Sequence, residues 1–340
     1  MMTHERFETI RLSLEDGVAR LTLADGQAGN PVNPVFAREF CKATILLDQS
    51  QDVRVVHLSA DGPNFCVGGD LRANAFGPPQ DLASAVQSVT ADYHFALSVL
   101  LRIDAPIVTA VQGASAGAGV ALAALGDIVV AADTAHFTMA YSAIAVSPDG
   151  GSTFVLPRLI GLRRCQGLML TNRRVLADEA VRIGLVTEMV PPAMLAARSA
   201  ELVQLLAHGA TSAFAATRRL LLESPGTSLE TQLEREAPAL SVQCRTADAA
   251  EPMTARSQHR APRFTGRWHG SERLSQVSLE TRAMKLNREL SAFRSVRCPA
   301  AIDNHARAGH QHRRIRSEKD NRAHQVLDLP ETTEFDFRQH

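Results

Sequence analysis

Two features within residues 106–161 carry groups that could do chemistry. A loop rich in glycine and alanine, Gly113–Gly119, follows an apolar run and precedes a predicted helix. Backbone N–H groups in such a loop can hold a developing oxyanion. Further along the chain, Asp149 lies in the glycine-rich turn Ser147–Gly151. A carboxylate there could take up and return protons beside the bound oxygen.

A second motif, Phe65–Leu71, has the sequence FCVGGDL. Together with the Gly113–Gly119 loop it resembles the enoyl-CoA hydratase/isomerase (crotonase) superfamily, and within it the enoyl-CoA isomerases of the phenylacetate-degradation type. The resemblance extends from about Phe7 to Arg267. It implies an acyl-CoA substrate, with CoA as part of the substrate and no separate cofactor.

The resemblance also implies that the backbone N–H groups of Gly69 and Ala118 form an oxyanion hole. An acyl-CoA thioester that loses its α-proton becomes an enolate, whose oxygen needs fixed donors. Alternatively, the glycines of the loop only permit a tight strand-to-helix turn. A dinucleotide-binding fingerprint is excluded, because its third glycine would fall on Leu122. Asp70 is expected to have a structural role and to cap the turn that follows the Phe65–Leu71 motif.

Hydratases of the superfamily carry two glutamates that activate and protonate water, and the matching positions here are Ala121 and Tyr141. Neither side chain replaces a carboxylate base near neutral pH. The two residues therefore argue against water addition by the usual route. Tyr141 stays a candidate pocket residue.

Asp149 occupies the position at which the single-acid isomerases of the superfamily place their catalytic acid. One carboxylate suffices for a 1,3-proton shift, since it can take a proton from one carbon and return it to another. We therefore expect Asp149 to be the catalytic acid–base. The alternative is an N-cap, because aspartate is also favoured just before a helix.

His94 lies in a predicted helix, twelve residues before Pro106. The resemblance includes the 4-chlorobenzoyl-CoA dehalogenase branch, in which a histidine at this spacing is the base and an aspartate at the Asp149 position attacks the ring. That branch has a tryptophan at the position of Tyr141. Three roles stay open for His94: a dehalogenase base, a pocket residue in a polar network, and an ordinary helix histidine.

The length and composition are typical of a soluble enzyme. The 340 residues are 45% hydrophobic with a net charge of zero, and no uninterrupted apolar run is long enough to span a bilayer. The N-terminus lacks the pattern of a secretory signal, so a cytoplasmic location without membrane association is expected. The five cysteines are scattered, which fits neither a disulfide framework nor a zinc site, and no metal is expected.

Charge is distributed unevenly along the chain. From Pro252 onward there are 17 of the 36 Lys and Arg residues but 10 of the 36 Asp and Glu residues. Residues 268–340 show little amphipathic periodicity and are expected to form a basic, disordered extension. A basic run at 310–316 lacks interleaved aromatic residues, so nucleic-acid binding is not expected.

The hydrophobic periodicity predicts an α/β protein whose C-terminal part is helical. The resemblance implies a crotonase-like spiral of ββα units over residues 1–195 and a helical region over 196–267 that packs at a trimer interface. A homotrimer or a dimer of trimers is therefore expected. In the helical region, Pro252–His259 lacks the expected apolar pattern.

The predicted strands are Thr9–Leu14, Val18–Leu23, Val53–Ser59, Ile107–Val111 and Ile128–Ala132, with shorter ones near Phe137 and at Val186–Val190. The predicted helices are Pro34–Gln49, Leu82–Arg102, Gly119–Leu125, Gly151–Ile160, Leu195–His208, Ser212–Glu223 and Leu229–Gln243.

These observations predict an acyl-CoA isomerase that shifts a double bond, or rearranges a CoA thioester, through an oxyanion-stabilised enolate. Three alternatives stay open: an enoyl-CoA hydratase, an enzyme similar to the 4-chlorobenzoyl-CoA dehalogenases, and a catalytically silent acyl-CoA-binding homologue. Turnover of a 3-enoyl-CoA would distinguish an enzyme from a silent homologue.

Overall fold

The computed structural model describes residues 7–72, 75–77 and 81–266. The strands in these ranges are β1 (Ile10–Glu15), β2 (Val18–Leu23), β3 (Val55–Ala60), β4 (Ile107–Val111), β5 (Ala114–Ala116), β6 (Ile128–Ala132), β7 (His136–Thr138), β8 (Val175–Leu176) and β9 (Glu188–Val190). The α-helices are α1 (Pro34–Gln49), α2 (Leu82–Arg102), α3 (Ala118–Ala123), α4 (Ser152–Ile160), α5 (Leu162–Thr171), α6 (Ala177–Ile183), α7 (Leu195–Ala207), α8 (Thr211–Glu223), α9 (Leu229–Cys244) and α10 (Ala247–Ser257).

The main sheet has six strands in the order β1-β2-β3-β4-β6-β9. Strands β1 and β2 form an antiparallel hairpin, and the later neighbours pair in parallel. Every residue of β4 is buried, as expected inside a parallel sheet covered on both faces. The larger core cluster includes residues of α1 and α2 on one face, while α7 packs on the other face against Val55, Val108 and Val130.

After several strands of the main sheet, the chain leaves that sheet and forms a short extended segment. These short segments pair with one another in a second layer. In that layer, Val32 bridges to Gly69, Cys66 bridges to Ser115, and β5 pairs in parallel with β7. The segments that follow β3 and β4 therefore lie side by side. This path agrees with the spiral that the resemblance implies, and the predicted α/β class is confirmed.

Helices α1 and α2 have the bounds predicted from the sequence. The Asn33 side chain accepts hydrogen bonds from two N–H groups of the first turn of α1, and Pro34 begins the helix, which is a strong start signal. The two helices pack on each other where the rings of Phe36 and Phe40 meet the ring of Tyr93. Tyr93 is fully buried in this contact.

Helix α10 is absent from the sequence-based prediction, and it continues through Pro252 to Ser257 although this stretch lacks an apolar pattern. The Thr246 side chain caps its first turn. Only Asp248 and Ala255 of this helix are buried, so an apolar stripe is not what holds it. Strands β5 and β8 and helices α5 and α6 are likewise absent from the sequence-based prediction.

Polar contacts hold the last described residues against the rest of the chain. The Asp248 carboxylate accepts hydrogen bonds from the backbone N–H groups of Thr265 and Gly266, each at 2.7 Å. Arg54, directly before β3, donates to the Phe264 carbonyl oxygen at 3.0 Å. The segment is therefore attached as far as Gly266.

The predicted extension, residues 268–340, lies outside the described residues, and the division of the chain at 195 and 267 stays a prediction. Within residues 7–72, 75–77 and 81–266, no helix is both long enough and apolar enough to cross a bilayer. The same ranges bring no three His, Cys, Asp or Glu side chains together in a way that could hold a metal ion.

Candidate active site

The loops that follow β3 and β4 touch each other along their backbones. Gly68 has a φ of +86°, and a Cβ atom there would lie 2.7 Å from the Ala116 carbonyl oxygen. A Cβ atom on Gly119 would lie 2.2 Å from the Cys66 carbonyl oxygen. The Ala116 N–H donates to that same Cys66 oxygen at 2.9 Å. Only glycine fits at these two positions, because the segments meet at backbone contact distance.

The two predicted oxyanion donors lie at this contact. A Cβ atom on Gly68, the residue before Gly69, would be 3.6 Å from the Ala118 nitrogen. Among the residues that the structure describes, none accepts a hydrogen bond from the N–H of Gly69 or of Ala118. Gly117 has a φ of +51°, so the turn itself also requires a glycine. The glycines of the two loops therefore satisfy the turn geometry, and each loop leaves one backbone donor available for an oxyanion.

Tyr93 belongs to this half of the site and is missing from the sequence-based prediction. Its hydroxyl donates to the Ala118 carbonyl oxygen at 2.9 Å, inside the core. The bond satisfies a buried acceptor and fixes the peptide at the start of α3. The pattern of α2 indicates a buried tyrosine, but it contains no signal for a partner so far along the chain.

Three side chains from separate elements meet in the other half of the site. The Tyr141 hydroxyl donates to Oδ1 of Asp149 at 2.5 Å. The second carboxylate oxygen, Oδ2, lies 3.6 Å from Nε2 of His94 on α2. The structure thus brings together all three side chains that the sequence singles out. The Asp149 side chain is 28% exposed, so a substrate can reach it.

This cluster lies beside the loop that carries the second donor. A Cβ atom on Gly117 would be 3.7 Å from Cζ of Tyr141, and one on Gly150 would be 2.9 Å from Cβ of Ala121 in α3. Gly117 directly precedes one donor, and Gly150 directly follows the carboxylate. The backbone donors and the carboxylate therefore border a common site.

The N-cap interpretation of Asp149 is wrong. Helix α4 begins after Gly151, which provides no side-chain cap. Gly150 and Gly151 have φ values of +62° and +73°, and these two left-handed residues turn the chain between Asp149 and the helix. The carboxylate consequently contacts Tyr141 instead of the first turn of α4.

Opposing effects set the pKa of Asp149. Burial raises this pKa, whereas His94, when its Nε2 carries a proton, and the Tyr141 hydroxyl lower it, and the result lies below the ordinary aspartate value. Burial, and then the charge of Asp149, raise the pKa of Tyr141. At neutral pH the aspartate is therefore ionised and the tyrosine protonated, which agrees with a hydrogen bond donated by the tyrosine.

His94 makes a hydrogen bond that determines its tautomer. The Gly150 N–H donates to Nε2 at 3.0 Å, which requires a neutral ring with the proton on Nδ1. Nε2 would have to give up this bond before it could carry a proton towards Asp149. His94 is part of the polar network of the site, so it is not an ordinary helix histidine.

Asp70 has the structural position expected for it. It is buried, accepts a hydrogen bond from the Arg72 N–H at 3.0 Å, and forms an ion pair with the same residue's guanidinium. Arg72 holds the pKa of Asp70 below its usual value. The pair closes the turn that follows Gly69.

Comparison with known proteins agrees with the motifs and with the fold. The family described as Enoyl-CoA hydratase/isomerase matches residues 13–267 of the chain. This chain belongs to the enoyl-CoA hydratase/isomerase family. The crotonase fold expected from the two motifs is thereby confirmed.

Several members of this family are similar over nearly their whole length. The 1,2-epoxyphenylacetyl-CoA isomerase of Escherichia coli (strain K12) is 32% identical over 263 residues, which are 76% of this chain and 99% of the relative. A "Probable enoyl-CoA hydratase" of Rhodobacter capsulatus is 33% identical over 261 residues, 77% of this chain and 99% of the relative. The crystal structure of enoyl-CoA hydratase from Bacillus anthracis has a TM-score of 0.71 at 26% identity and covers 76% of this chain and 100% of its own.

Ala121 lies at a position where the resemblance predicts one of the two glutamates of the hydratases. Its side chain is buried in α3, and the turn after Asp149 packs on it so closely that Gly150 has no room for a Cβ atom. A glutamate at residue 121 would have to displace this turn. The backbone at Gly150 therefore occupies the space that a carboxylate side chain at residue 121 would need.

Proposed function

We propose that this protein is an enoyl-CoA isomerase, which moves a double bond or rearranges a CoA thioester through an enolate. One observation carries the proposal: an ionised Asp149, hydrogen-bonded by Tyr141, borders two backbone N–H groups that have no acceptor among the described residues. The packing of Ala121 against Gly150 leaves no space for the partner acid that hydration uses.

In the proposed reaction, Asp149 takes a proton from the α-carbon of a 3-enoyl-CoA. The electron pair of the broken C–H bond moves into the thioester carbonyl, and the N–H groups of Gly69 and Ala118 stabilise the oxyanion. The protonated Asp149 then returns the proton to the γ-carbon while the carbonyl forms again. Substrate and product have the same composition, so no co-reactant is consumed.

The relatives support a CoA thioester as the substrate class. The Escherichia coli relative is named as an isomerase of 1,2-epoxyphenylacetyl-CoA, which favours an acyl group derived from a ring. The Rhodobacter capsulatus relative is described as a hydratase and is similar to the same degree. The preference for isomerisation over hydration therefore depends on Asp149 and Ala121. A cytoplasmic location and the need for no separate cofactor stay predictions.

The decisive experiment combines a panel of acyl-CoA thioesters with Asp149→Asn. Mass spectrometry distinguishes a mass-neutral isomerisation from the addition of one water. General acid–base catalysis contributes roughly 10²–10⁴-fold, so we expect the variant to lose that much isomerase rate while it still binds acyl-CoA. Asp133→Asn is a matched control, because Asp133 is an exposed carboxylate on the loop after β6. Full activity in Asp149→Asn would refute the proposed mechanism.

One observation favours a second candidate function. His94 Nε2 lies 3.6 Å from Oδ2 of Asp149, as a dehalogenase with an aspartate nucleophile and a histidine base would require. Halide release from 4-chlorobenzoyl-CoA, together with a covalent adduct on Asp149, would support it. The existing hydrogen bond from Gly150 to Nε2 argues for the isomerase instead.

The proposal includes assembly into a trimer or a dimer of trimers. Helix α9 has no buried residue, and large apolar side chains are exposed on α8 and α9, namely Leu221, Leu229, Leu233 and Leu240. Such a surface is typical of an interface between subunits. Sedimentation at micromolar concentration tests this prediction, and a monomer would contradict it.

A further inference from the structure

We propose that Tyr141 is a positioning residue that gives the two oxygens of Asp149 separate tasks: Oδ1 is held by the tyrosine hydroxyl, and Oδ2 takes up and returns the proton. The inference depends on the proposed function, because it explains how one carboxylate performs both proton transfers. It adds a residue whose role can be tested separately from that of Asp149.

The Tyr141 hydroxyl is well placed to fix the carboxylate. At 2.5 Å from Oδ1, its distance is that of a charge-assisted O–H···O⁻ hydrogen bond. The residue is only 9% exposed, and its ring lies against the oxyanion loop at Gly117. Its carbonyl oxygen also accepts hydrogen bonds from the N–H groups of Ile144 and Val146. Packing and backbone bonds therefore hold the donor in place.

The carboxylate, in contrast, lies on a turn with little regular structure. Two glycines with positive φ, Gly150 and Gly151, follow Asp149 directly. Without a fixed donor, rotation about the Cβ–Cγ bond would exchange the two oxygens. A proton carried on the rotating group could then be lost to water or delivered to the wrong carbon. The bond to Oδ1 prevents this exchange and leaves Oδ2 to face the substrate.

The proton balance of the reaction is compatible with this division. In the first step the C–H bond breaks, an O–H bond forms at Oδ2, and the electron pair moves to the thioester oxygen. In the second step the O–H bond at Oδ2 breaks and a new C–H bond forms. The Tyr141 proton stays on the tyrosine throughout, since burial and the charge of Asp149 raise the pKa of this phenol.

Among the described residues, four titratable groups face Asp149 or its tyrosine partner: Tyr141, His94 and Tyr93, and Cys66 from the loop after β3. Burial raises the pKa of Tyr93 and raises that of Cys66 to about 12, so both stay neutral in the acidic range. His94 is the remaining titratable side chain at the site. A pH experiment must therefore separate Asp149 from His94.

The sign of the expected pH effect follows from the hydrogen bond. Because the Tyr141 hydroxyl lowers the pKa of Asp149, its removal raises that pKa. The acidic limb of the kcat/KM profile should then move to higher pH in Tyr141→Phe, because a larger share of the base is protonated at each acidic pH. We also expect kcat at neutral pH to fall roughly 10–100-fold with KM little changed, since orientation of the base is lost.

The sequence offers a matched control, because it contains only two tyrosines, Tyr93 and Tyr141. Tyr93→Phe removes a hydroxyl that donates to the Ala118 carbonyl and not to Asp149. The acidic limb of the kcat/KM profile of Tyr93→Phe should lie at the same pH as in the unsubstituted protein. His94→Asn is the second control. If the acidic limb reflects the ionisation of Asp149, the pH profile of this variant still has an acidic limb.

Two measurements on the tyrosines extend the test. In the Tyr93→Phe background, replacement of the remaining tyrosine by 3,5-difluorotyrosine makes the phenol more acidic and the donor stronger, so the limb should move to lower pH. With tyrosine labelled by ¹³C at Cζ, the Tyr141 resonance of the full chain should shift as Asp149 ionises. That shift should be absent in Asp149→Asn and present in His94→Asn.

The outcomes separate this inference from the proposed function. The inference would be overturned if the acidic limb were unchanged in Tyr141→Phe and the Tyr141 resonance of the labelled full chain did not respond to the ionisation of Asp149. This outcome would leave the isomerase assignment intact. Full isomerase activity in Asp149→Asn would overturn the proposed function and, with it, the assignment of proton transfer to Oδ2. Opposite limb shifts in Tyr141→Phe and the fluorinated protein would support the inference.

Discussion

The two halves of the site are built in different ways. In the oxyanion half, backbone N–H groups of two loops are the proposed functional atoms, and the close contact of Gly68 and Gly119 with the facing loop fixes their spacing. In the acid half, the proposed functional atoms belong to side chains of three elements, Asp149, Tyr141 and His94. The first half is a consequence of the fold, whereas the second depends on three individual residue choices.

This difference explains how one fold can perform several reactions. In the proposed mechanism, the oxyanion half stabilises an enolate whatever change the carbon skeleton undergoes. The acid half then determines which carbon loses and gains a proton, or whether water is added. A family member can therefore change its reaction by substitution at positions such as 121 and 141 while the loops keep their geometry.

The largest combined loss of turnover and stability should come from a substitution in the backbone half. In Gly119→Ala, the new Cβ atom would lie 2.2 Å from the Cys66 carbonyl oxygen, so the two loops must separate. Loss of one oxyanion donor costs about 10²–10³-fold in rate, and overpacking costs about 1–3 kcal/mol of stability. Turnover and denaturant unfolding of the variant measure both expectations.

Gly167→Ala is the control for that substitution. Gly167 lies inside α5, and no atom of the described residues is within 4 Å of its Cβ position. Alanine should stabilise the helix there by up to about 1 kcal/mol. If Gly119→Ala behaved like this control, the close packing of the two loops would not determine the oxyanion geometry.

A second prediction tests whether the acid half can be converted by one residue. Ala121→Glu restores a carboxylate that hydratases carry, but Gly150 already packs on Cβ of residue 121. We expect no addition of water, at least a tenfold loss of isomerase rate, and about 1–3 kcal/mol lower stability from overpacking. Mass spectrometry of the product and denaturant unfolding provide the measurements. Efficient hydration by this variant would show that the turn moves easily.

A third prediction concerns the residue that connects the two halves. Tyr93 neighbours His94 in α2, yet its hydroxyl donates to the Ala118 carbonyl oxygen. Tyr93→Phe leaves that buried acceptor without its partner, which costs about 1–3 kcal/mol. Denaturant unfolding should detect this loss, while the acidic limb of the rate profile stays in place. A shifted limb would mean that Tyr93 also acts on Asp149.

The elements that sequence analysis predicted well have strong local signals. Helix α1 begins with an Asn33 cap and Pro34, and its bounds agree with the prediction. Strand β5 has three residues, and its register depends on pairing with β7. Polar contacts, such as the hydrogen bond between Asp248 and Thr265, attach helix α10 to its neighbours, so its sequence shows little apolar periodicity. Such elements depend on partners elsewhere in the chain, so a local pattern does not predict them.

The site shows the same limit. The two motifs predict Gly69 and Ala118 as site residues, and the resemblance predicts Asp149 from its place in the glycine-rich turn Ser147–Gly151. The hydrogen bond between Tyr141 and Asp149 could not be predicted, because a capping role for Asp149 was also compatible with the local sequence. Only the left-handed turn at Gly150 and Gly151 decides between them. The roles of these residues in catalysis stay predictions until the variants are measured.

The smallest effect is expected at the end of the chain. Within the part of the chain that the structure describes, the contacts of the C-terminal segment extend to Gly266, which donates its N–H to Asp248, while Phe264 accepts from Arg54. Ending the chain after Arg267 should therefore change the unfolding free energy by less than about 0.5 kcal/mol and leave the rate unaffected. The matched truncation after Arg260 removes these contacts and leaves the buried Asp248 without them, which should cost at least about 1–3 kcal/mol. Thermal and denaturant unfolding of both proteins test the pair, and a large loss in the longer one would show that residues 268–340 contribute to the fold.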